Sequence, residues 1–217
     1  MFTYFPVHLY STEDVDLGYI MVGMQGISSH GVFSQATERF AHPVRNVAAL
    51  QVEPGMKVAD FGAGSGVYTF AIAEALSGSG VVYAVDVQKD LLRRIKNDAQ
   101  RRGFKNIEIL WGDLEEKHGS KIADGALDLV LVSNVLFQLE DKKAAITEAH
   151  RVLKPHGRLA IIDWRESYGG LGPVKNDVVD QQAGLELAKK CHFELIREFP
   201  AGAHHYGLLL KKTKQGS

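Results

Sequence analysis

The segment Val58-Ala59-Asp60-Phe61-Gly62-Ala63-Gly64-Ser65-Gly66-Val67-Tyr68-Thr69 constrains this chain more than any other. Apolar residues on either side of Asp60 predict a buried parallel strand, and glycines at alternate positions follow it. The run from Tyr68 to Leu76 then predicts a helix. Gly62, Gly64 and Gly66 permit positive φ and remove the side chains that would hold a ligand off the backbone. The helix behind them points its unpaired N–H groups into the same space. A strand, a tight turn and a helix in this arrangement suit a polar ligand.

The spacing narrows the choice. A dinucleotide loop of the form G-x-G-x-x-G needs glycine where Val67 stands, which disfavours a nicotinamide dehydrogenase. A phosphate loop needs a lysine after its last glycine, and none follows Gly66. The 217 residues are 45% hydrophobic and 24% charged, enough for one sizeable core with an accessory segment. A formal charge of -1 gives no general attraction to phosphates, so nucleic acid is not an expected partner. Cys191 is the one cysteine, and no cysteine–histidine spacing suits a metal. The residues after Met1 lack the basic, then apolar, character of a secretory signal, and no apolar run reaches membrane-spanning length; a cytoplasmic chain is expected.

Residues 1–40 are aromatic and punctuated by glycine without a sustained period, and are expected to form either a cap or lid over the ligand site or a tail packed on the domain; His30 falls there. Residues 41–217 form the main domain. A helix from Ala41 to Leu50 shows Val44, Val47 and Leu50 as its apolar face. The second strand, Val81 to Asp86, ends in a carboxylate 20 residues beyond Gly66, where an acid accepts hydrogen bonds from a nucleoside ribose. The helix from Lys89 to Arg102 carries a basic face that reads as solvated. A third strand, Asn106 to Asp113, ends in Gly112-Asp113, whose carboxylate suits an adenine amino group with Leu114 or Trp111 walling the base. The fourth, from Leu127, runs into Ser133 and Asn134 at the same crevice. A helix from Asp141 to Leu153, a turn at Lys154-Pro155-His156-Gly157 and a fifth strand, Arg158 to Trp164, follow. The last helix ends near Lys190, and an antiparallel hairpin joins Phe193–Phe199 to Tyr206–Lys211 through a loop over residues 200–205.

This order predicts an α/β fold, a doubly wound, Rossmann-like sheet of seven strands, mostly parallel with an antiparallel C-terminal hairpin. Over residues 41–211 the chain resembles the class I S-adenosylmethionine-dependent methyltransferases. D-x-G-x-G-x-G from Asp60 to Gly66 matches their first motif, and Arg151 to Gly157 is similar to their R-x-L-K-P-G-G element. The stretch from Leu153 to Trp164 and His205-Tyr206-Gly207 look most like the small-molecule branch that includes ubiquinone and menaquinone methyltransferases. His156 departs from the family's glycine, and Gln138 from a histidine common after the fourth strand.

The resemblance implies S-adenosylmethionine as cofactor and a small-molecule methyl acceptor. It places the cofactor on Asp60, Gly62, Ala63, Gly64, Gly66, Asp86, Val87, Gly112, Asp113, Leu114, Ser133 and Asn134. The glycine loop would take the methionine end, Asp86 the ribose, and Asp113 with Leu114 the adenine. No general base is obligatory; the candidates are His205, His30, Asp163 and Tyr206. An RNA or protein acceptor, or a protein that binds or cleaves the cofactor without methylating anything, is the alternative. Oligomeric state is left open.

Overall fold

A computed structural model describes residues 42–168 and 172–214. The expected cap, with His30, lies outside the described residues. The strands are β1 (Lys57–Phe61), β2 (Val81–Asp86), β3 (Ile107–Trp111), β4 (Leu127–Ser133), β5 (Leu153–Trp164), β6 (Phe193–Gly202) and β7 (His205–Lys212). They form one sheet of order β3-β2-β1-β4-β5-β7-β6. Pairings from β3 to β5 are parallel, and β7 runs antiparallel to both β5 and β6. The order reverses between β1 and β4, so the crevice of a doubly wound sheet opens at their carboxyl ends.

Alternation along the central strands divides the core. Val58, Val82, Leu129, Leu131, Ala160 and Ile162 face the helices α1 (Pro43–Ala49) and α2 (Val67–Ala75). Ala84, two residues on from Val82, packs under α3 (Lys89–Arg102) through Leu92 and Ile95. Ala59, Phe61, Val85, Val130, Val132 and Ile161 face the other way, onto α4 (Lys142–Val152) and α5 (Gln181–Lys190). Asp141 caps α4 by accepting the Ala144 N–H at 2.9 Å, and Asp180 caps α5 in the same manner from Ala183. No described helix is long and apolar enough to cross a membrane.

The structure corrects several expectations. Val44 is 61% exposed, and the buried stripe of α1 is Asn46, Val47 and Leu50. Asn46 is tolerated there because its amide donates to Tyr68 Oη at 2.8 Å and to the Ala201 carbonyl at 3.0 Å. Among the described residues the β3–β4 connection, for which no element was expected, is made of turns. It is held by Arg151, which donates to Glu148, Asp124 and the Ile122 carbonyl, while Glu148 accepts from Ser120. The hairpin loop is shorter than expected, because Pro200 and His205 both belong to strands. Pro200 fits there since β6 is an edge strand and bulges between Pro200 and Gly202.

Lys154-Pro155-His156-Gly157 likewise opens β5 instead of forming a separate turn, with a register shift against β4 between Leu127 and Leu129. Within it His156 is exposed and has φ 63°, in the left-handed region where the family's glycine would sit without strain. His156→Gly is expected to stabilise the protein by about 1 kcal/mol. The check is the urea midpoint of the variant against that of the parent at equal m-value; an unchanged or lower midpoint contradicts it.

Candidate functional site

The crevice is built from backbone outward. Gly62 and Ala63 N–H both donate to the Val85 carbonyl, at 2.8 and 3.0 Å, pinning the glycine loop across the end of β2. The loop glycines have different duties. A Cβ on Gly62 would lie 2.3 Å from a Val135 methyl, and one on Gly66 2.8 Å from Ile95, so both are needed for packing. A Cβ on Gly64 meets nothing nearer than the Gly62 carbonyl at 3.9 Å. Its side faces open space at the mouth of the crevice.

Asp86 is 7% exposed and accepts the Gly64 N–H on Oδ2 at 2.9 Å and the Gln88 N–H on Oδ1 at 2.8 Å. Each oxygen keeps a second lone pair. Val87 is 38% exposed, and its carbonyl accepts the Trp111 indole N–H at 3.0 Å, with the Lys89 ammonium over the indole ring. Asp113 turns the chain by accepting the Glu115 N–H on Oδ1 at 3.0 Å. Leu114 is buried beside it. Gly112 is required by packing, since a Cβ would sit 2.2 Å from the Gly119 carbonyl oxygen.

Asp60 is buried and takes the Thr69 hydroxyl at 2.6 Å; burial pushes its carboxyl up to about 6, against that hydrogen bond. At the end of β4, Asn134 has φ 56°, a conformation asparagine tolerates. Ser133 Oγ and Asn134 Oδ1 are buried with no hydrogen-bond partner among the described residues. Gln138, on the short 3₁₀ turn beyond, donates to the Asn134 carbonyl at 2.7 Å and holds that corner.

The three base candidates within the described residues separate onto two faces. Asp163 pairs in register with Tyr206, on the face covered by α4 and α5. Asp163 is fully buried and accepts the N–H groups of Leu136 and Trp164, so it anchors the β4 corner from beneath and does not stand on the crevice rim. The Tyr206 hydroxyl is directed at α5, where a Cβ on Gly184 would lie 2.6 Å from it; burial pushes this phenol far up. His205 pairs with Trp164 on the opposite face, that of α1 and α2. Its ring lies 4.3 Å from the indole, and burial pushes it down to about 4, so it is neutral.

Sequence reasoning passed over Tyr68, Thr69 and Asn46. Tyr68 occupies the first turn of α2, directly beyond the glycine loop, and is buried with its phenol pushed up to about 12 by that burial. Its position in the first turn was a usable signal. Asn46 was recognisable as a polar residue one position before Val47 and four before Leu50, on the stripe that α1 buries.

Burial pushes Asp163 up to about 7, although backbone N–H groups on both oxygens favour its charge. A carboxyl raised in the folded state holds a proton that the unfolded chain has released, so its contribution to stability is present at low pH and is lost as pH rises through about 7. Asp60 acts with the same sign up to about 6, while His205, lowered to about 4, acts oppositely, its unfolded form being half titrated near 6.5 and almost fully so by about 8. Between pH 6.5 and 8 Asp163 dominates these three. Urea unfolding is expected to show stability falling by about 0.5 kcal/mol over that interval, the loss at Asp163 being partly offset by His205. Asp163→Asn should flatten the decline; an equally steep profile in the variant contradicts the assignment.

Residues 52–206 match the family model described as a methyltransferase domain. An arsenite methyltransferase of Aquipseudomonas alcaligenes is 36% identical over 114 residues, covering 50% of this chain and 33% of the relative. A ubiquinone/menaquinone biosynthesis C-methyltransferase of Burkholderia cenocepacia is 30% identical over 125 residues, covering 58% and 50%. The chain thus spans a third to a half of the length of these relatives. Among solved structures, a SAM-dependent methyltransferase from Aquifex aeolicus superimposes with a TM-score of 0.74 at 22% identity, over 86% of this chain and 100% of that one. The cyclase SpnF shares the fold at a TM-score of 0.66 and 17% identity, over 78% and 80%.

Proposed function

The chain belongs to the methyltransferase domain family, and on that premise we propose that it transfers a methyl group from S-adenosylmethionine to a small-molecule acceptor. One observation carries the reading: the Gly64 N–H is tied to Asp86 while the side of Gly64 stays open, and β4, the strand paired with β1, ends in the orphaned oxygens of Ser133 and Asn134. A loop held that rigidly around open space with unpaired polar atoms fits a polar, elongated ligand. The residues present suit this cofactor. The free lone pairs of Asp86 take the ribose hydroxyls, the second oxygen of Asp113 takes the adenine amino group, and Val87 and Leu114 supply apolar walls. Gly62, Ala63, Gly64 and Gly66 with Asp60 shape the seat of the methionine end, and Ser133 and Asn134 face its amino acid. Gly112 supports this set by letting the Asp113 turn close.

When bound, the sulfonium supplies a methyl group already activated for in-line attack. The chain's own part is then positioning, which is worth on the order of 7 to 11 kcal/mol for well-oriented partners. Two relatives name different acceptors, arsenite and quinone precursors. Trivalent arsenic is a soft centre that prefers thiolates. The one cysteine of this chain, Cys191, is 4% exposed within the core under α4 and α5, and burial raises its thiol. A carbon or oxygen acceptor suits the α1–α2 face better. A macromolecular acceptor gains no support from α3, whose Arg93, Arg101 and Arg102 are paired with Asp90, Asp98 and Glu74.

The SpnF likeness means that fold alone leaves the reaction open, so turnover must be measured. S-adenosylmethionine incubated with the protein, with and without a small-molecule cell extract, is followed by mass spectrometry. S-adenosylhomocysteine formed only with extract, together with a product heavier by one methylene, is the expected result. Intact cofactor in both arms, or cleavage without extract, overturns the proposal.

A further inference from the structure

The glycine loop is held from two sides. On the β2 side the hold is polar: Gly62 and Ala63 donate to the Val85 carbonyl, and Gly64 donates to Asp86. On the β4 side it is steric. A Cβ on Gly62 would fall 2.3 Å from one methyl of Val135 and 3.3 Å from the other, so the valine side chain rests directly on the Gly62 backbone. Val135 is 8% exposed and belongs to the core beneath α4 and α5. Where Val135 stands therefore decides how far the loop can move away from β2.

The strand before Val135 does not fix it. β4 ends at Ser133, and Asn134 turns the chain through φ 56° while still donating to the Ile162 carbonyl at 2.8 Å. The next hold is a side chain from β5. Asp163 Oδ2 accepts the Leu136 N–H at 3.1 Å, with the Val135 N–H near the same carboxylate, and Oδ1 accepts the Trp164 N–H at 2.8 Å. The last of these bonds ties the carboxylate to its own strand, which is paired on either side with β4 and β7. Among the described residues its hydrogen-bond partners are backbone amides and no cation. Burying a carboxylate in this way is unfavourable. An apolar residue at 163 would pack at lower cost, but it would leave the Leu136 amide unpaired.

We propose that Asp163 is a positioning residue for the cofactor: by holding the Leu136 amide it sets Val135 against Gly62 and keeps the glycine loop in the shape that seats the ligand. Asp163 touches no ligand itself, being fully buried on the face of α4 and α5. Charge strengthens the hold, because a carboxylate accepts an amide proton more strongly than a protonated acid does. The groups that face it are Lys142 of α4, which favours the charge, and Tyr206 of β7, with Asp180 capping α5 beyond the phenol.

This role presupposes the cofactor reading for the ligand it serves, and two readouts separate them. Amide hydrogen exchange of the ligand-free full chain reads the loop itself. Asp163→Asn and Val135→Ala should each speed exchange at Gly62 and Ala63 by about tenfold more than at the amides of α3, which report any loss of global stability. Calorimetric titration with S-adenosylhomocysteine reads the seat. Each variant should weaken binding about fivefold and the double variant no further, because both act through one contact; independent effects would multiply to about 25-fold. In the parent, affinity should rise with pH around 7, where burial places this carboxyl, and Asp163→Asn and Val135→Ala should both lose that rise. If Asp163→Asn does not fold, the pH profile of Val135→Ala against that of the parent tests the acid and the contact together. Loop exchange that merely follows α3, multiplying effects in the double variant, or a pH profile unchanged in Val135→Ala overturns the proposal. No S-adenosylhomocysteine binding by the parent sinks the cofactor reading, and the exchange comparison then decides whether Asp163 positions the loop.

Discussion

Replacing Gly64 with leucine is expected to weaken S-adenosylhomocysteine binding by at least about a hundredfold while leaving the protein folded. Gly64 has φ 54°, inside the left-handed region that a side chain without β-branching enters at a cost of about 1 to 2 kcal/mol. Its added Cβ meets only open space, so the scaffold has nothing to rearrange. The leucine then fills the space assigned to the methionine end of the cofactor. Gly62→Ala is the contrasting control. There the new methyl collides with Val135 at 2.3 Å, and stability and binding should fall together. Calorimetric titration beside a thermal melt reads both. If Gly64→Leu binds as tightly as the parent, the ligand does not lie against this loop.

Asp86→Ala should act on the other end of the same ligand. Removing the carboxylate strands the Gly64 and Gln88 N–H groups, which costs about 2 to 4 kcal/mol of stability for two lost acceptors. It also deletes the proposed ribose contact. The distinguishing readout is adenosine, which lacks the amino-acid end. Asp86→Ala should weaken adenosine and S-adenosylhomocysteine alike, each by about a hundredfold, whereas Gly64→Leu should weaken S-adenosylhomocysteine far more than adenosine. Equal effects of both variants on both ligands would contradict the orientation.

What could be read from sequence was what local chemistry decides. The glycine loop, the acid ending β2, and α3 from Lys89 to Arg102 are each specified by a few consecutive residues, and the structure places them as expected. Errors arose where partners distant in sequence decide. Nothing local shows that Asp163 will pair with Tyr206 under α5 instead of standing on the rim, because the register of β5 on β7 sets its face. The same register places His205 in a strand beside Trp164. Asn46 drew no attention in the sequence because the groups that satisfy it, Tyr68 and the Ala201 carbonyl, stand 22 and 155 residues away. His156 departs from the family's glycine and keeps its backbone conformation, which is why the departure alters strain and not topology.

The most direct test is a crystal structure of the protein with S-adenosylhomocysteine. The account predicts the ligand across the carboxyl ends of β1, β2 and β4, with its ribose hydroxyls on Asp86, its amino-acid end against Gly64 and facing Ser133 and Asn134, and its sulfur directed toward the β5 side of the crevice. A ligand bound elsewhere, or in this crevice with its ribose away from Asp86, would contradict it.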